Sequence, residues 1–253
     1  MRRTSLTAWC MLASIGTVII LPGCASTADM MARDNPDPLE GYNRAMFAFN
    51  DKLDRAVIKP VAKAYRAVTP QILDDGITNI FSNLGDVAIA ANNILQLKFR
   101  DAVSDISRIV FNSTFGLLGF FDVASHMDLP KHNEDFGQTI AYWSGLEGYY
   151  LVLPLLGPSS TRDVLGLATD DYVFYPLVYS GLNPQERNIA VALNIVDTRA
   201  DLLRAEKALG DSARDYSFVR NAYVQRRRNL VYDGNPPKLN PDFDNFDDNN
   251  SNL

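Results

Sequence analysis

The sequence predicts a mostly α-helical fold, with a single compact multi-helix domain over residues 37–233. In most of this region apolar residues recur at the three- and four-residue spacing of amphipathic helices. The period-two alternation that is typical of strands is scarce. The exception is residues 137–166, where five glycines and several aromatic residues interrupt the helical pattern. We therefore expect a helical domain that contains one Gly-rich hairpin segment.

The first 24 residues have the pattern of a bacterial lipoprotein precursor. Arg2-Arg3 precedes an uncharged apolar stretch that ends in Leu21-Pro22-Gly23-Cys24. A basic start, an apolar core and a small residue before the cut are typical of an export signal, and the following cysteine is typical of a lipobox. Pro22 departs from the usual box. We expect residues 1–23 to be removed as a signal peptide and Cys24 to carry lipid. A plain signal peptide, or a membrane anchor with a chance cysteine, is the alternative.

The residues around Cys24 predict where the protein is delivered. Ala25 follows the cysteine. In proteobacterial lipoproteins an Asp at that position retains the protein at the inner membrane, so we expect an outer-membrane lipoprotein that faces the periplasm. Residues 24–36 are predicted to be a flexible lipidated tether. Because Cys10 lies inside the signal, the mature chain would have no thiol for a disulfide or a nucleophile.

The charge of the chain argues against a nucleic-acid partner. Removing residues 1–23 would take away two arginines and no acidic residue, which changes the formal net charge from −6 to −8. Proteins that bind nucleic acid normally present a basic face instead.

Five amphipathic or capped segments account for the predicted helices. Proline at position 60 predicts a kink or break near Lys59 in the first of them. Asn183, Pro184 and Glu186 form a capping pattern, and Gly210 is a stop signal. The predicted helices cover Asp51–Val68, a second helix that follows the Thr69-Pro70 cap and carries the apolar positions from Ile80 to Leu95, about Arg100–Val123, Asn183 to about Leu209 and about Tyr216–Val231.

The Gly-rich segment and the chain end follow other patterns. Within residues 137–166 we expect a short helix, a hairpin-like turn over Gly145–Gly148 and an extended Tyr149–Leu156. Residues 234–253 are rich in Asp, Asn and Pro and cannot bury enough apolar surface to fold, so we expect a disordered acidic tail.

The domain also has short apolar runs, and their role has two interpretations. None reaches the roughly 18–20 residues that a spanning helix requires. Runs of this length are typical either of buried core helices or of interfacial and re-entrant membrane segments. The runs are Val87–Leu97, Ile109–Phe121, Gly148–Thr161 and Tyr172–Gln185.

The sequence offers no convincing catalytic or metal site. The loop from His126 to Asp135 contains possible ligands, but their spacing matches no zinc signature. The segment Gly157-Pro-Ser-Ser-Thr161 lacks the Gly-x-Ser-x-Gly pattern of a nucleophile elbow. We therefore expect no enzyme, metal or cofactor. Arg226–Arg228 is interpreted as a solvated helix end rather than as a docking site for an acidic partner or lipid phosphates.

Several motifs together resemble the MlaA/VacJ family of outer-membrane lipoproteins, from about Asp37 to Gly234. The opening signature is Asp37-Pro-Leu-Glu-Gly-Tyr-Asn-Arg44 followed by Met46, Phe47 and Phe49-Asn50. The second signature is Asp135-Phe-Gly-Gln-Thr139 through Trp143, Gly148-Tyr-Tyr-Leu-Val-Leu-Pro154, Gly157-Pro-Ser159 and Arg162-Asp163. The closing helix has Arg220-Asn-Ala-Tyr223 and Gln225-Arg226-Arg227.

The resemblance implies both a shape and a function. Members of the family form a mostly helical, ring-like plate with a central channel and short membrane-embedded helices, in the periplasm-facing part of the outer membrane. Phospholipids mislocalised to the outer leaflet pass down that amphipathic channel to a soluble periplasmic phospholipid carrier of the Mla type, which maintains lipid asymmetry. The family also associates with a trimeric porin. The implied partners are therefore phospholipid, the outer membrane, a porin and a carrier.

From the resemblance and the glycines we expect residues 135–156 to line or gate the channel. The candidate channel or lipid-contact residues are Phe47, Phe49, Asn50, Gly145, Gly148 and Tyr149, and Cys24 is the lipid-attachment residue. The alternative function is a periplasmic scaffold or interaction lipoprotein without a lipid channel, whose apolar runs only form a core.

Overall fold

A computed structural model describes residues 37–237, and helices make up most of them, as predicted. The signal peptide, Cys24, the tether and most of the predicted tail lie outside the described residues. The helices are α1 Glu40–Leu53, α2 Lys59–Val68, α3 Gln71–Leu95, α4 Phe99–Thr114, α5 Phe136–Ser144, α6 Thr161–Thr169, α7 Pro184–Leu209 and α8 Tyr216–Val231. Two strands, β1 Tyr150–Leu153 and β2 Gly157–Ser160, lie between α5 and α6.

The predicted break near Lys59 is a change of helical winding. The helix already begins at Glu40, and a five-residue π-helical segment, Asp54–Ile58, joins α1 to α2. Pro60 lies in the first turn of α2. Proline has no backbone N–H, so a regular α-helical hydrogen bond is lost at this position and the wider winding occurs just before it.

Helices α3 and α4 pack antiparallel, as the pairing of their side chains shows. Asn93 bonds to Asp105, Asp86 to Arg108, and Asn83 to Ser113. The residue numbers in α3 therefore decrease as those of their partners in α4 increase. The prediction that the second of these helices continues to Val123 was wrong, because α4 ends at Thr114. Residues 117–119 then have positive φ, which ends the helix in a left-handed turn.

The hairpin exists, but its turn lies further along the chain than predicted. Strands β1 and β2 pair antiparallel, from Tyr150 opposite Ser160 to Leu153 opposite Gly157, so the turn is at residues 154–156. Gly145, predicted to be in the turn, instead ends α5 with φ +64°. A residue without Cβ adopts this conformation without strain.

The two C-terminal helices follow the prediction closely. Asn183 accepts a hydrogen bond from the Glu186 N–H, and the Glu186 carboxylate accepts one from the Asn183 N–H, which completes a capping box at the start of α7. Gly210, with φ +58°, ends that helix. Helix α8 covers the predicted range.

The described helices also bear on membrane insertion. Within residues 37–237, none combines the length and the apolar character that crossing a membrane requires.

Candidate functional site

The described domain buries polar side chains and exposes apolar ones. Its fully buried large side chains are mostly polar: besides Val152, they are Asp37, Asn43, Asp86, Asn92, Asn93, Asp105, Arg108 and Asp197. Scattered exposed apolar residues are ordinary, whereas a buried polar interior is not. This inverted distribution is the feature of the molecule that requires a functional explanation.

Helix α4 shows the inversion most clearly. Its inner face carries Ala102, Asp105, Arg108 and Asn112, all buried. The opposite face, which we call the α4 outer face, consists of Phe99, Val103, Ile106 and Val110, and every one of these side chains is exposed. An amphipathic helix in water turns its apolar face inward. This helix does the reverse, which suits an apolar surrounding.

The turn after α4 continues the apolar surface. Phe115, Leu117, Leu118 and Phe121 are all exposed. Between residues 102 and 121 the only charged side chains are Asp105 and Arg108, and both are buried on the inner side. A surface of this kind, free of charge over about 20 residues, marks a contact with lipid or with another protein.

The buried Arg108 holds three parts of the fold together. Its guanidinium donates to both carboxylate oxygens of Asp122 at 3.1 Å and to the Leu129 carbonyl at 2.7 Å, and it faces Asp86 of α3. Lys131 also contacts Asp86. A buried charge is tolerated only when it is paired and hydrogen-bonded. The cluster meets that condition, with two cations and two carboxylates.

A second ion cluster joins α5, α6 and α8 through Arg227. Its guanidinium pairs with Asp135, the N-cap residue of α5, and donates to Asp163 of α6 at 2.7 Å. The Tyr223 hydroxyl also donates to Asp163, at 2.7 Å. The prediction of a solvated Arg226–Arg228 end is therefore wrong for Arg227, because it missed carboxylates that are distant in sequence.

A close approach of two helices explains a glycine in the second signature. A Cβ added to Gly166 would lie 2.3 Å from the Gly137 nitrogen, and one added to Gly137 would lie 2.4 Å from an Asp163 oxygen. Helices α5 and α6 can meet at this distance only without side chains. The adjacent Arg162 and Asp163 lie in the first turn of α6 and form an ion pair, with 2.9 Å between the Arg162 Nε and the Asp163 Oδ1.

Two asparagines of α1 hold the hairpin by its backbone. Asn43 donates to the Tyr150 carbonyl at 3.1 Å and accepts from the Val152 N–H at 2.8 Å. Asn50 donates to the Leu153 carbonyl and accepts from the Leu155 N–H, both at 2.8 Å. We call these four bonds the asparagine clamp. They satisfy three backbone groups on the edge of β1, which would otherwise need another strand, and one in the turn that follows it.

The structure brings some of the predicted contact residues together and separates others. Asn50 and the hairpin are joined by the clamp. The Phe47 ring packs edge-on against Tyr216, with centroids 5.7 Å apart, next to the small core of Tyr150, Val152 and Tyr216. Phe47 is therefore partly a packing residue, whereas Phe49 is exposed.

The remaining candidates belong to the segment between α5 and β2. Gly145 is exposed at the end of α5. Gly148 lies against Ser160 and Arg162, where an added Cβ would be 2.5 Å from the Ser160 Oγ. The Tyr149 N–H donates to the Thr161 Oγ1 at 3.1 Å. None of these contacts tests a role in lipid passage, so that role stays a prediction.

Two clefts open on the described surface. One, of about 210 Å³, lies between residues 133–135 and α8, with Tyr223 and Arg226 in its wall. The other, of about 290 Å³, lies between the start of α3 and residues 120–126, with Phe120 and Phe121 in its wall. Both combine apolar and charged side chains.

The two histidines of the loop contact polar groups of the fold. The His132 ring contacts the buried Asp105 at 2.7 Å, and the His126 ring contacts the Asp122 carbonyl at 2.9 Å. Among the described residues, no group of three or more His, Cys, Asp or Glu side chains is arranged to hold a metal ion.

A family model described as MlaA lipoprotein matches residues 35–230 of the chain. An intermembrane phospholipid transport system lipoprotein, MlaA, of Escherichia coli strain K12 is 35% identical over 235 residues, which are 90% of this chain and 91% of that protein. The protein of the same name in Haemophilus influenzae is 30% identical over 227 residues, covering 88% and 90% of the two chains. An uncharacterised Rickettsia typhi protein is 31% identical over 195 residues, covering 77% and 78%.

A solved structure supports the fold. It comes from work on the structural basis for maintenance of bacterial outer membrane lipid asymmetry. It matches with a TM-score of 0.66 and 32% sequence identity, and the match covers 80% of this chain and all of the other.

Proposed function

The chain belongs to the MlaA lipoprotein family, and we infer from this membership that it takes part in phospholipid transport at the outer membrane. Two relatives carry the name of an intermembrane phospholipid transport lipoprotein, and the matching structure concerns outer-membrane lipid asymmetry. In this role the protein moves a lipid without making or breaking a covalent bond.

The observation that carries the proposal in this molecule is the inversion of α4. A helix with buried Asp105, Arg108 and Asn112 and exposed Val103, Ile106 and Val110 suits a protein body that lies in lipid and keeps polar groups inside. A scaffold that worked in water would leave this apolar face exposed to solvent, at a cost of about 25 cal/mol per Å² of apolar surface.

We propose the route in more detail as follows. The domain lies in the periplasm-facing leaflet as a ring-like plate, and phospholipids mislocalised to the outer leaflet pass through its amphipathic channel to a soluble periplasmic carrier. A trimeric porin is the membrane partner. Lipid on Cys24 is a second attachment beside the apolar exterior.

The hairpin is the proposed gate of that channel. The asparagine clamp supports this role, because it holds the hairpin to α1 by side-chain hydrogen bonds, and each such bond contributes only about 1 kcal/mol. Bonds of that strength can open and close on the time scale of loop motions.

The first experiment tests the function in cells. Deletion of the gene is expected to increase the phospholipid exposed on the outer face of the cell, measured by labelling or by an outer-leaflet phospholipase assay. Re-expression of the intact chain should reverse the increase. No increase on deletion would contradict the transport proposal.

The second experiment tests the gate in isolation. A disulfide between Asn50→Cys and Leu155→Cys would replace one contact of the clamp by a covalent bond. Oxidised protein is expected to stop transferring lipid from vesicles to an acceptor, and the same protein after reduction is the matched control. Equal transfer in both states would exclude a moving hairpin.

A third measurement separates the transport proposal from the scaffold alternative. Protein extracted in mild detergent is expected to carry bound phospholipid, detected by mass spectrometry. A scaffold would purify without it.

A further inference from the structure

The turn after α4 places two leucines in a backbone conformation that leucine rarely adopts. Leu117 has φ +52° and Leu118 has φ +60°, and Gly119 follows at φ +94°. The left-handed conformation costs an L-residue with a Cβ about 1–2 kcal/mol, and apart from Gly only Asn and Asp visit it routinely. Glycine would fit this turn without strain.

The two side chains are mostly exposed, so packing within the described chain offsets little of this cost. Leu117 is 67% exposed and Leu118 is 77% exposed. In water a strained and exposed leucine is unfavourable on both counts. Contact with an apolar environment outside the chain would make leucine favourable here, since burying a leucine contributes about 1.5–3 kcal/mol.

The charge pattern along α4 indicates that this apolar environment is hydrocarbon, and it indicates which end of the helix enters it. The N-terminal end of α4 carries the exposed Arg100 and the partly exposed Asp101. Exposed residues from there to Phe121 carry no charge. One end of the helix therefore suits a polar boundary and the other suits hydrocarbon.

Aromatic residues near the start of α4 support the same orientation of the helix. Tyr142 and Trp143 are exposed at the end of α5, and the Trp143 Nε1 donates to the Leu95 carbonyl at 2.9 Å, next to the turn that leads into α4. Tryptophan and tyrosine are enriched where a membrane meets water. From Ala102 to Thr114, α4 rises about 18 Å, which is comparable to the thickness of about 15 Å of one leaflet of the hydrocarbon core.

We propose that the Leu117–Leu118 turn is an insertion tip that penetrates the acyl chains of the membrane, with α4 entering the leaflet from its Arg100 end. The tip is the deepest part of the described chain, and Trp143 lies near the head groups. The proposal rests on the membrane-embedded body of the proposed function, and it assigns that body an orientation and a lipid-contacting site.

The mature chain offers a direct test of depth. Of its two tryptophans, Trp9 lies in the predicted signal, so Trp143 would be the single natural probe. The mature protein is reconstituted in phosphatidylethanolamine–phosphatidylglycerol vesicles whose lipids carry bromine at a shallow or a deep acyl carbon. The second probe is Leu118→Trp in a Trp143→Phe background.

We expect the tryptophan at position 118 to be quenched several-fold more by deep than by shallow bromine, and Trp143 to show the reverse order. Leu97→Trp in the same background is the matched control. Leu97 is also a left-handed leucine, with φ +63°, but it lies at the polar end of α4, so it should resemble Trp143. Equal quenching at 97 and 118, or quenching of position 118 by aqueous iodide, would overturn the proposal.

A second variant separates lipid contact from internal packing. Leu118→Gly removes the side chain and fits the left-handed turn. It is expected to melt in detergent at or above the wild-type temperature, while its retention on vesicles falls in a Cys24→Ser background. A lower melting temperature would make Leu118 a packing residue and contradict the tip. A protein that inserts as expected but transfers no lipid would contradict only the proposed function.

Discussion

At the scale of single residues, neighbouring arginines of α8 have opposite roles. Arg227 is largely buried between Asp135 and Asp163, whereas the adjacent Arg226 is exposed and makes no ion pair within residues 37–237. Removing one member of a buried ion cluster leaves uncompensated charge, which is a larger effect than the loss of attraction alone.

We expect Arg227→Met to lower the free energy of unfolding by about 3 kcal/mol, because Asp135 loses its cation and Asp163 keeps only Arg162. Arg226→Met is the matched control and should change it by less than about 0.5 kcal/mol. Thermal melts of both variants in the same detergent measure this difference in stability. Equal melting temperatures would show that the Arg227 cluster does not stabilise the fold.

Asp170 should give the fold a dependence on pH. Burial raises the pKa of its carboxyl to about 6 from an ordinary value of 3.8, although the Phe136 N–H and the Asn92 amide donate to it. The folded chain therefore holds this proton more tightly than the unfolded chain. The stabilising contribution is complete below the ordinary pKa and is lost as the pH rises through the folded value.

We expect the melting temperature to rise when the pH is lowered from 7 to 5, and Asp170→Asn to reduce this rise, measured by melts across that range. The exposed Asp128→Asn should behave like the wild type. A profile unchanged by Asp170→Asn would assign the pH dependence to other groups.

At the scale of elements, the asparagine clamp depends on matched spacings. Asn43 and Asn50 are seven residues apart, which is about 10 Å along a helix. The carbonyls that they bond, those of Tyr150 and Leu153, are three residues apart, which is about 10 Å along a strand. Two turns of α1 therefore match three residues of extended chain.

The two ends of the clamp should differ in strength. Asn43→Ala leaves buried backbone groups without partners and should lower the free energy of unfolding by about 2 kcal/mol, whereas the half-buried Asn50→Ala should cost about 1 kcal/mol. Hydrogen exchange at the Val152 and Leu155 amides measures each end separately. Exchange at Leu155 that is unaffected by Asn50→Ala would show that the hairpin does not depend on the clamp.

The elements that could be predicted from the sequence are those fixed by local chemistry. Asn183 and Glu186 are three residues apart, so the capping box at α7 follows from their identities. The hairpin turn was misplaced because Gly145 equally suits a turn and a helix end. The Arg227 cluster was missed because its carboxylates are 64 and 92 residues away along the chain.

The hydrophobic periodicity of the sequence also did not specify which face of each helix points to the interior. The sequence predicts one apolar stripe on the first helix, and its three valines are exposed whereas its other two members are half-buried. The stripe consists of Leu53, Val57, Val61, Tyr65 and Val68. A hydrophobic period separates two faces but does not specify which of them meets the interior. Which face is inside depends on whether the surrounding is water or lipid.

At the scale of the whole molecule, the inverted surface predicts a membrane attachment that does not need the lipid anchor. Cys24→Ser is expected to leave a substantial part of the protein in the membrane fraction after a high-salt wash, because the apolar exterior remains. The same variant with Val103, Ile106 and Val110 changed to Ser should be released. Release of Cys24→Ser alone would indicate a water-exposed body.

The same exterior has a consequence for biogenesis. A lipoprotein destined for the outer membrane crosses an aqueous compartment after export, and the Leu117–Leu118 tip would be exposed to water throughout that passage. An escort that covered only the acyl chains predicted on Cys24 would leave this surface free to aggregate. With such a tip, delivery of this protein would require either an escort that shelters the folded body as well, or a chain that completes its folding only on arrival.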